Sequence, residues 1–457
     1  MTRRLVVVGG DAAGMSAAHQ ALRASRQRGR SLEAVVLETT HDTSYSACGI
    51  PYWISGEVAT REALVARTPE EHRRLGIDLR LGARATHVDH DAGEVHWIGP
   101  EGEQRLGYDE LVLATGARPF APAWARDESG CLAPGIQVVK TLDDGAWWLD
   151  ALAGPSRQVV VAGGSYIGLE MAEALLARGH RVTLLTRSRV MSSLDEPMSA
   201  RIEEVLTRGG VEVLTGAAVS GVERGADGAL EAVLAGELRV EADLLVLALG
   251  VAPATDLVAD LDLPRSARGA LRPDPQGRLR DGLWAAGDCC EVRHRLTGEW
   301  IYLPLGTHAN KMGRVTGDAI GGGELAFPGV LGTAITRFAA GPAYVEVART
   351  GLGLAEARRA GLDVLEVTTE GTTASGYHPE AQPLALSMVG ERGSGRLLGA
   401  EVVGGRGAAK RIDTVAMALW QGARVADLAW ADLAYAPPFA TAWEFVSLAA
   451  RRLAERL

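Results

Sequence analysis

Cys48 stands in the run Ser44-Tyr45-Ser46-Ala47-Cys48-Gly49-Ile50-Pro51-Tyr52, with no second cysteine beside it. Gly49 permits a tight backbone and Pro51 suits the first turn of a helix. The sulfur is therefore expected just ahead of a helix N-terminus, where unpaired N–H groups favour its thiolate. A thiolate in that position is a nucleophile rather than packing. Cys131, Cys289 and Cys290 form neither a CxxC pair nor a regular framework, so disulfide staples and a metal site are not expected. The adjacent Cys289 and Cys290 read as small buried residues without a catalytic role.

Two glycine turns must position this thiol's neighbours. Residues 5–8 read as a buried parallel strand, Gly9, Gly10, Asp11, Ala12 and Gly14 as a turn, and the following residues as a helix. Residues 159–162 followed by Gly163, Gly164, Ser165, Tyr166, Ile167 and Gly168 repeat the order. Asp11 and Ser165 each replace the middle glycine of G-x-G-x-x-G, and these parallel departures point to two related folds. The second strand of the first unit ends in Glu38 and Thr39, where an acid would hold a ribose hydroxyl. Its counterpart ends in Thr186, followed by Arg187 and Arg189. Lacking the acid and offering two guanidiniums for a 2′-phosphate, this second site leans toward NADPH, with NADH also usable. Further strand ends lead into Ala114, Thr115 and Gly116, into Gly250, and into Gly287 and Asp288, the side of an α/β sheet on which ligands bind.

The fold class expected is α/β, with two Rossmann-like dinucleotide-binding domains and a C-terminal α+β domain. The boundaries read as a first unit at 1–120, a second at 121–251, a return to the first at 252–326, and the last domain at 327–457. Helical patterns within the last domain fall near 354–360 and 411–421. At 457 residues, 47% apolar and 23% charged, the chain has length enough for two or three domains. The apolar run after Met1-Thr2-Arg3-Arg4 stops at Gly9, too short for a signal peptide, and no stretch reaches transmembrane length. A reducing cytoplasm is therefore expected. The net charge of −10 argues against a nucleic-acid or anionic-membrane partner. Lysine occurs only at Lys140, Lys311 and Lys410 and asparagine only at Asn310, so the adjacent Asn310 and Lys311 mark a candidate binding position.

The order of glycine turn, Glu38, Ser44-x-x-x-Cys48-Gly49-x-Pro51, Ala114-Thr115-Gly116, second glycine turn, Ala286-Gly287-Asp288 and Tyr435-Ala436-Pro437-Pro438-Phe439 resembles the single-cysteine pyridine nucleotide-disulfide oxidoreductases. Within that family it is most similar to the coenzyme A-disulfide reductases. The resemblance spans essentially the whole chain. It implies FAD in the first unit with Asp288, Leu305 and Ala309, NAD(P)H in the second, and a homodimer with shared active sites built by the last domain. It also implies that Tyr377 and Tyr435 assist Cys48 from the partner subunit. A phenol can give a proton to a departing thiolate, and the prolines beside both tyrosines could hold the rings rigidly. Coenzyme A would meet Gln20, Arg23, Ser44, Asn310 and Lys311. Ala47 departs from the asparagine that some relatives carry before the cysteine.

The implied cycle passes a hydride from NADPH to FAD and the electron pair on to a Cys48–S–S–CoA bond. The freed thiolate then attacks an incoming coenzyme A disulfide. Two-cysteine relatives close an internal disulfide instead, which Thr43 and Trp53, five positions to either side of Cys48, rule out here. The nearest alternative is a CoA-persulfide or polysulfide reductase, against which the lack of length for an appended rhodanese domain weighs slightly. Further alternatives are an NADH oxidase, whose relatives carry a histidine where this turn reads Asp11-Ala12-Ala13, and a non-enzymatic redox-sensing flavoprotein.

Overall fold

Runs of Val and Leu bounded by glycine become buried central strands. In the computed structural model, which describes residues 2–457, Leu5, Val6 and Val7 of the strand Arg3–Val8 are wholly shielded, as are Val159, Val160 and Val161 of the strand Gln158–Ala162. A strand that is apolar on both faces belongs in the middle of a helix-covered parallel sheet. Arg3–Val8 pairs in parallel with Leu32–Glu38 and Glu110–Leu113, flanked by Ile77–Leu81 on one edge and Leu283–Ala285 with Arg278–Arg280 on the other. Gln158–Ala162 pairs in parallel with Arg181–Thr186 and Leu244–Leu247, with Val211–Thr215 and Ile136–Gln137 at the edges. Each unit also carries a three-stranded antiparallel meander, one over 84–107 and one over 221–241. A two-stranded ribbon, Ala117–Pro119 with Val251–Pro253, joins the units. The last domain is a five-stranded antiparallel sheet in the order Ala334–Ala340, Ala343–Gly351, Leu397–Gly404, Pro383–Glu391, Val364–Thr372.

The helices in chain order are α1 (Ala12–Gln27), α2 (Ile50–Ser55), α3 (Pro69–Arg74), α4 (Leu142–Ala151), α5 (Tyr166–Ala177), α6 (Glu196–Arg208), α7 (Gly306–Ile320), α8 (Leu354–Arg359), α9 (Ile412–Trp420), α10 (Val425–Ala429) and α11 (Phe445–Ala454). The two helical patterns expected in the last domain are α8 and α9. Among the described residues, no helix is long and apolar enough to cross a membrane.

Two contacts matter most for the site. Helix α7 lies directly against α1, because a methyl on Gly313 would collide with the Ala13 carbonyl oxygen and one on Gly317 with that of Ala17. Backbone-to-backbone packing of this kind admits only glycine. Helix α5 is laced to the strand Ala334–Ala340. Glu170 accepts from Thr336 Oγ1 at 2.9 Å, and Glu173 accepts the Ala339 N–H at 2.7 Å. Arg337 joins Glu173 at 3.0 Å and also pairs with Glu57, so one guanidinium spans all three domains.

Candidate active site

The two glycine turns superimpose in their physical detail. Gly9 (φ +107°) and Gly163 (φ +114°) adopt backbone that favours glycine, and a Cβ on either would strike a carbonyl at the end of a neighbouring strand, that of Ala114 or Ala248. Gly14 and Gly168 pack equally close on the carbonyls of Gly9 and Gly163. Asp11 and Ser165 stand at the N-caps of α1 and α5 without a side-chain cap bond, and neither first turn holds an acid. Helices α3 and α4, by contrast, begin in capping boxes from Thr68 and Thr141. The open N–H groups of α1 and α5 can take an anionic group such as a diphosphate.

Glu38 sits beside the first cradle, where its carboxylate accepts the N–H of Gly10 and of Thr40 at 2.7 Å and the Thr40 hydroxyl at 2.8 Å. Thr39, the expected neighbour, is exposed, and Thr40 makes the bonds to Glu38. Asp11 is raised to about 6 by burial, against the pull of Lys140. Thr115 Oγ1 donates to the Ala254 carbonyl at 2.5 Å, and the backbones of Gly116 and Gly250 accept from Ala254 and Phe120, so these three positions anchor the domain crossing as well as the sheet end. Gly287 (φ +87°) lies against Ala13, Asp288 follows it, and Leu305 and Ala309 open α7 without a side-chain cap. In the second cradle Gly164 packs on Leu184 and Thr186, while Tyr166 and Ile167 begin α5. Thr186 is buried and Arg187 exposed. Arg189 donates to the Leu194 carbonyl at 2.6 Å and ties down its own loop, while Arg187 stands open to solvent.

Cys48 rides on a 3₁₀ turn, Ala47–Gly49, that runs into α2 with Pro51 in the first turn. Ile50, Trp53 and Ile54 are buried and fix the helix in the core. The preceding loop is held by Ala66 N–H to Ser44 O and Ser46 N–H to Leu64 O, both 2.8 Å. The expected backbone stabilisation of the thiolate is outweighed. Solvent reaches Cys48 in the single chain, yet its dense surroundings push the thiol up, the Glu170 carboxylate pushes it further, and Lys140 acts in the opposite sense. A six-residue helix aligns too few peptide dipoles to overcome this.

Gln20, Arg23, Ser44, Asn310 and Lys311 all line one cavity of about 1080 Å³ between α1, α7 and the loop before Cys48. Three of them are partly engaged, Ser44 with its Oγ 3.0 Å from His72 Nε2. Gln20 donates to Asp318 Oδ1 at 3.1 Å, and Asn310 accepts from Ser16 Oγ and donates to the Gly306 carbonyl, both at 3.0 Å. Tyr377 and Tyr435 stand 78% and 49% exposed on the last domain, and no hydrogen bond joins either to Cys48 among the described residues. Their loops form one unit. Ser375 donates its N–H to Pro437 O at 2.9 Å and its hydroxyl to Ala440 O at 3.1 Å. Arg411, nearly buried, donates to Thr373 O at 2.8 Å, Phe439 O at 2.7 Å and Glu444 Oε1 at 2.7 Å.

Residues 3–312 match the family model described as pyridine nucleotide-disulphide oxidoreductase, and residues 343–445 match its dimerisation domain. The chain belongs to that family. It is 36% identical over 461 residues to a Pyrococcus horikoshii protein named NAD(P)H coenzyme A polysulfide/persulfide reductase, covering 99% of both chains. A solved NAD-dependent persulfide reductase from A. fulgidus superposes with a TM-score of 0.92 at 33% identity, over 99% of this chain and 83% of the other. The reduced Bacillus anthracis protein CoADR-RHD gives 0.91 at 28% identity, over 100% and 80%.

Membership in the pyridine nucleotide-disulphide oxidoreductases makes this an oxidoreductase and implies FAD and NAD(P)H. The paired cradles fit both: a glycine bend with no room for a side chain, an uncapped helix and, in the first unit, a carboxylate where a ribose hydroxyl would lie. Two charged residues near Cys48 carry no local motif that announces them. Lys140 lies 3.6 Å from Asp288 and acts on both Asp11 and Cys48. Its signal was its rarity, one lysine of three. Glu170, raised to about 7 by burial, follows the second glycine turn by two residues and faces Cys48 from another domain, a proximity with no local trace.

Proposed function

We propose that this chain is an FAD-dependent NAD(P)H reductase of coenzyme A disulfide, acting through a Cys48–S–S–CoA mixed disulfide. The observation that carries the reading is the convergence of all five expected coenzyme contacts on one cavity beside the Cys48 loop. The bound dinucleotides supply the electron pair, as hydride from NAD(P)H by way of FAD. The residues of the chain do the rest. The Cys48 thiolate attacks one sulfur of the incoming disulfide, a bond forms to Cys48, and the second coenzyme A leaves as a thiolate. Tyr377 or Tyr435, contributed by a second copy of the chain across the dimer, delivers the proton that this thiolate needs. Lys140 favours the Cys48 anion and Glu170 disfavours it. Arg187 supports a preference for NADPH, and the protein works in the cytoplasm.

Reduction of a coenzyme A persulfide is the second reading, and the names of the P. horikoshii and A. fulgidus relatives favour it. Chain length does not weigh against it, since this chain covers 99% of the P. horikoshii protein. Anaerobic NADPH and NADH oxidation with coenzyme A disulfide, coenzyme A persulfide and glutathione disulfide separates the readings. The disulfide of coenzyme A is expected to turn over fastest, and faster turnover of the persulfide replaces the first reading with the second. Cys48→Ser should abolish turnover of every sulfur substrate while leaving flavin reduction by NAD(P)H intact. Retained disulfide turnover in that variant ends the proposal.

A further inference from the structure

A file of hydrogen-bonded side chains from separate segments runs along one wall of the cavity. Ser44 Oγ lies 3.0 Å from His72 Nε2, His72 Nδ1 lies 2.8 Å from His19 Nε2, and Arg67 Nη1 lies 3.3 Å from the same His19 nitrogen. All four residues line the cavity, and His72 on α3 is 1% exposed. A pair of imidazoles alone can be protonated in either direction. Arg67 breaks the symmetry, because a guanidinium has donors and no acceptor. His19 Nε2 accepts from Arg67 and so accepts from His72 as well, which places the His72 proton on Nδ1. His72 Nε2 then keeps its lone pair, and Ser44 must donate to it. Burial, with His19 and Arg67 adding to it, holds His72 down to about 4, so the ring is neutral at working pH.

A serine has one hydroxyl proton. With that proton turned to His72, the oxygen meets the cavity with lone pairs alone. The residue is also fixed in place: Ser44 has φ +48°, an uncommon conformation for a non-glycine residue, held by the Ala66 and Ser46 backbone bonds. We propose that the Ser44–His72–His19–Arg67 file makes Ser44 a permanent hydrogen-bond acceptor, so that at this point the site selects a ligand N–H, the amide of a pantetheine arm, over an anionic oxygen. The inference rests on the coenzyme A reading above. It divides the cavity by chemistry: the cations Arg23 and Lys311 suit phosphates, and Ser44 suits the neutral arm. His72 touches no reacting atom in this scheme and is a positioning residue.

The test is calorimetric binding to the reduced, coenzyme-free holoenzyme. One probe is S-methyl coenzyme A, which carries the arm but cannot form a disulfide. The other is adenosine 3′,5′-bisphosphate, which carries phosphates and no arm. Ser44→Ala and His72→Leu are each expected to weaken the first about tenfold, the loss of one hydrogen bond, and to leave the second unchanged. His72→Gln, whose amide oxygen can accept from Ser44, should stay within about threefold of the native protein. His72→Asn, polar but too short to reach Ser44, should repeat the loss where His72→Leu does not fold. Native affinity for S-methyl coenzyme A in His72→Leu or His72→Asn overturns the proposal, as does equal loss of both probes, which would make His72 packing alone. A native protein that binds neither probe takes down the coenzyme A reading itself.

Discussion

At Cys48 burial and the carboxylates of Glu170 and Asp288 oppose the thiolate, and Lys140 with a backbone N–H only partly offsets them. The thiol therefore holds its proton at neutral pH until the environment changes. Glu170 titrates near 7, so its influence is present above that pH and absent well below it. In Glu170→Gln the anion is gone at every pH, the Cys48 value falls, and the thiolate fraction at alkaline pH rises. Iodoacetamide should accordingly alkylate reduced Glu170→Gln about three- to tenfold faster than native protein above pH 8, with the two rates converging below pH 6. Identical profiles throughout would mean that Glu170 does not act on the sulfur. The residue types at this site were legible from the chain, including Cys48 and the cavity's cations. The sign of the effect on the thiol was not, because burial and the Glu170 charge arise only when the domains pack together.

Among the elements, the pair of loops bearing Tyr377 and Tyr435 depends on one buried guanidinium. Arg411 reaches the backbone of both loops and pairs with Glu444, whose other oxygen accepts the Val446 N–H at the start of α11. Removing one member of a buried, hydrogen-bonded ion pair costs about 3–5 kcal/mol, enough to loosen loops whose other ties to each other are the two Ser375 bonds. Arg411→Met is expected to slow sulfur-substrate turnover at least tenfold while stopped-flow reduction of the flavin by NAD(P)H keeps its native rate. Equal slowing of both steps would show that the damage is not confined to the loops. Helix α9 was recognisable by its periodicity, but nothing local in it announces that the residue before it, Arg411, closes two distant loops.

For the whole molecule, the last domain exposes an aromatic surface. Trp430 and Phe439 are each 75% exposed, and Tyr377 and Tyr435 are exposed on the same domain. Large exposed aromatic patches mark interaction surfaces, and this one lies on the dimerisation domain. If a second copy brings its tyrosines to Cys48, a Cys48→Ser chain paired with a Tyr377→Phe/Tyr435→Phe chain contains one dead site and one wholly native site. Co-expression in equal amounts makes half the dimers mixed, so about one quarter of native turnover should return although neither parent is active alone. Activity that never exceeds that of the parents would place each site within a single chain.

The sequence by itself determined what depends on neighbours along the chain. A valine-rich strand, a glycine with no room for a side chain and a helix follow one another within about fifteen residues, so both dinucleotide units and Glu38 could be read directly. A single thiol without a partner five residues away was equally plain. Tertiary structure decided what depends on segments far apart: the α1–α7 packing that brings Asn310 and Lys311 to Arg23, the Glu170 charge on Cys48, and the His19–His72 pair that orients Ser44. Charge and hydrogen-bond direction act across space, and their effect exists only once the chain has closed around them.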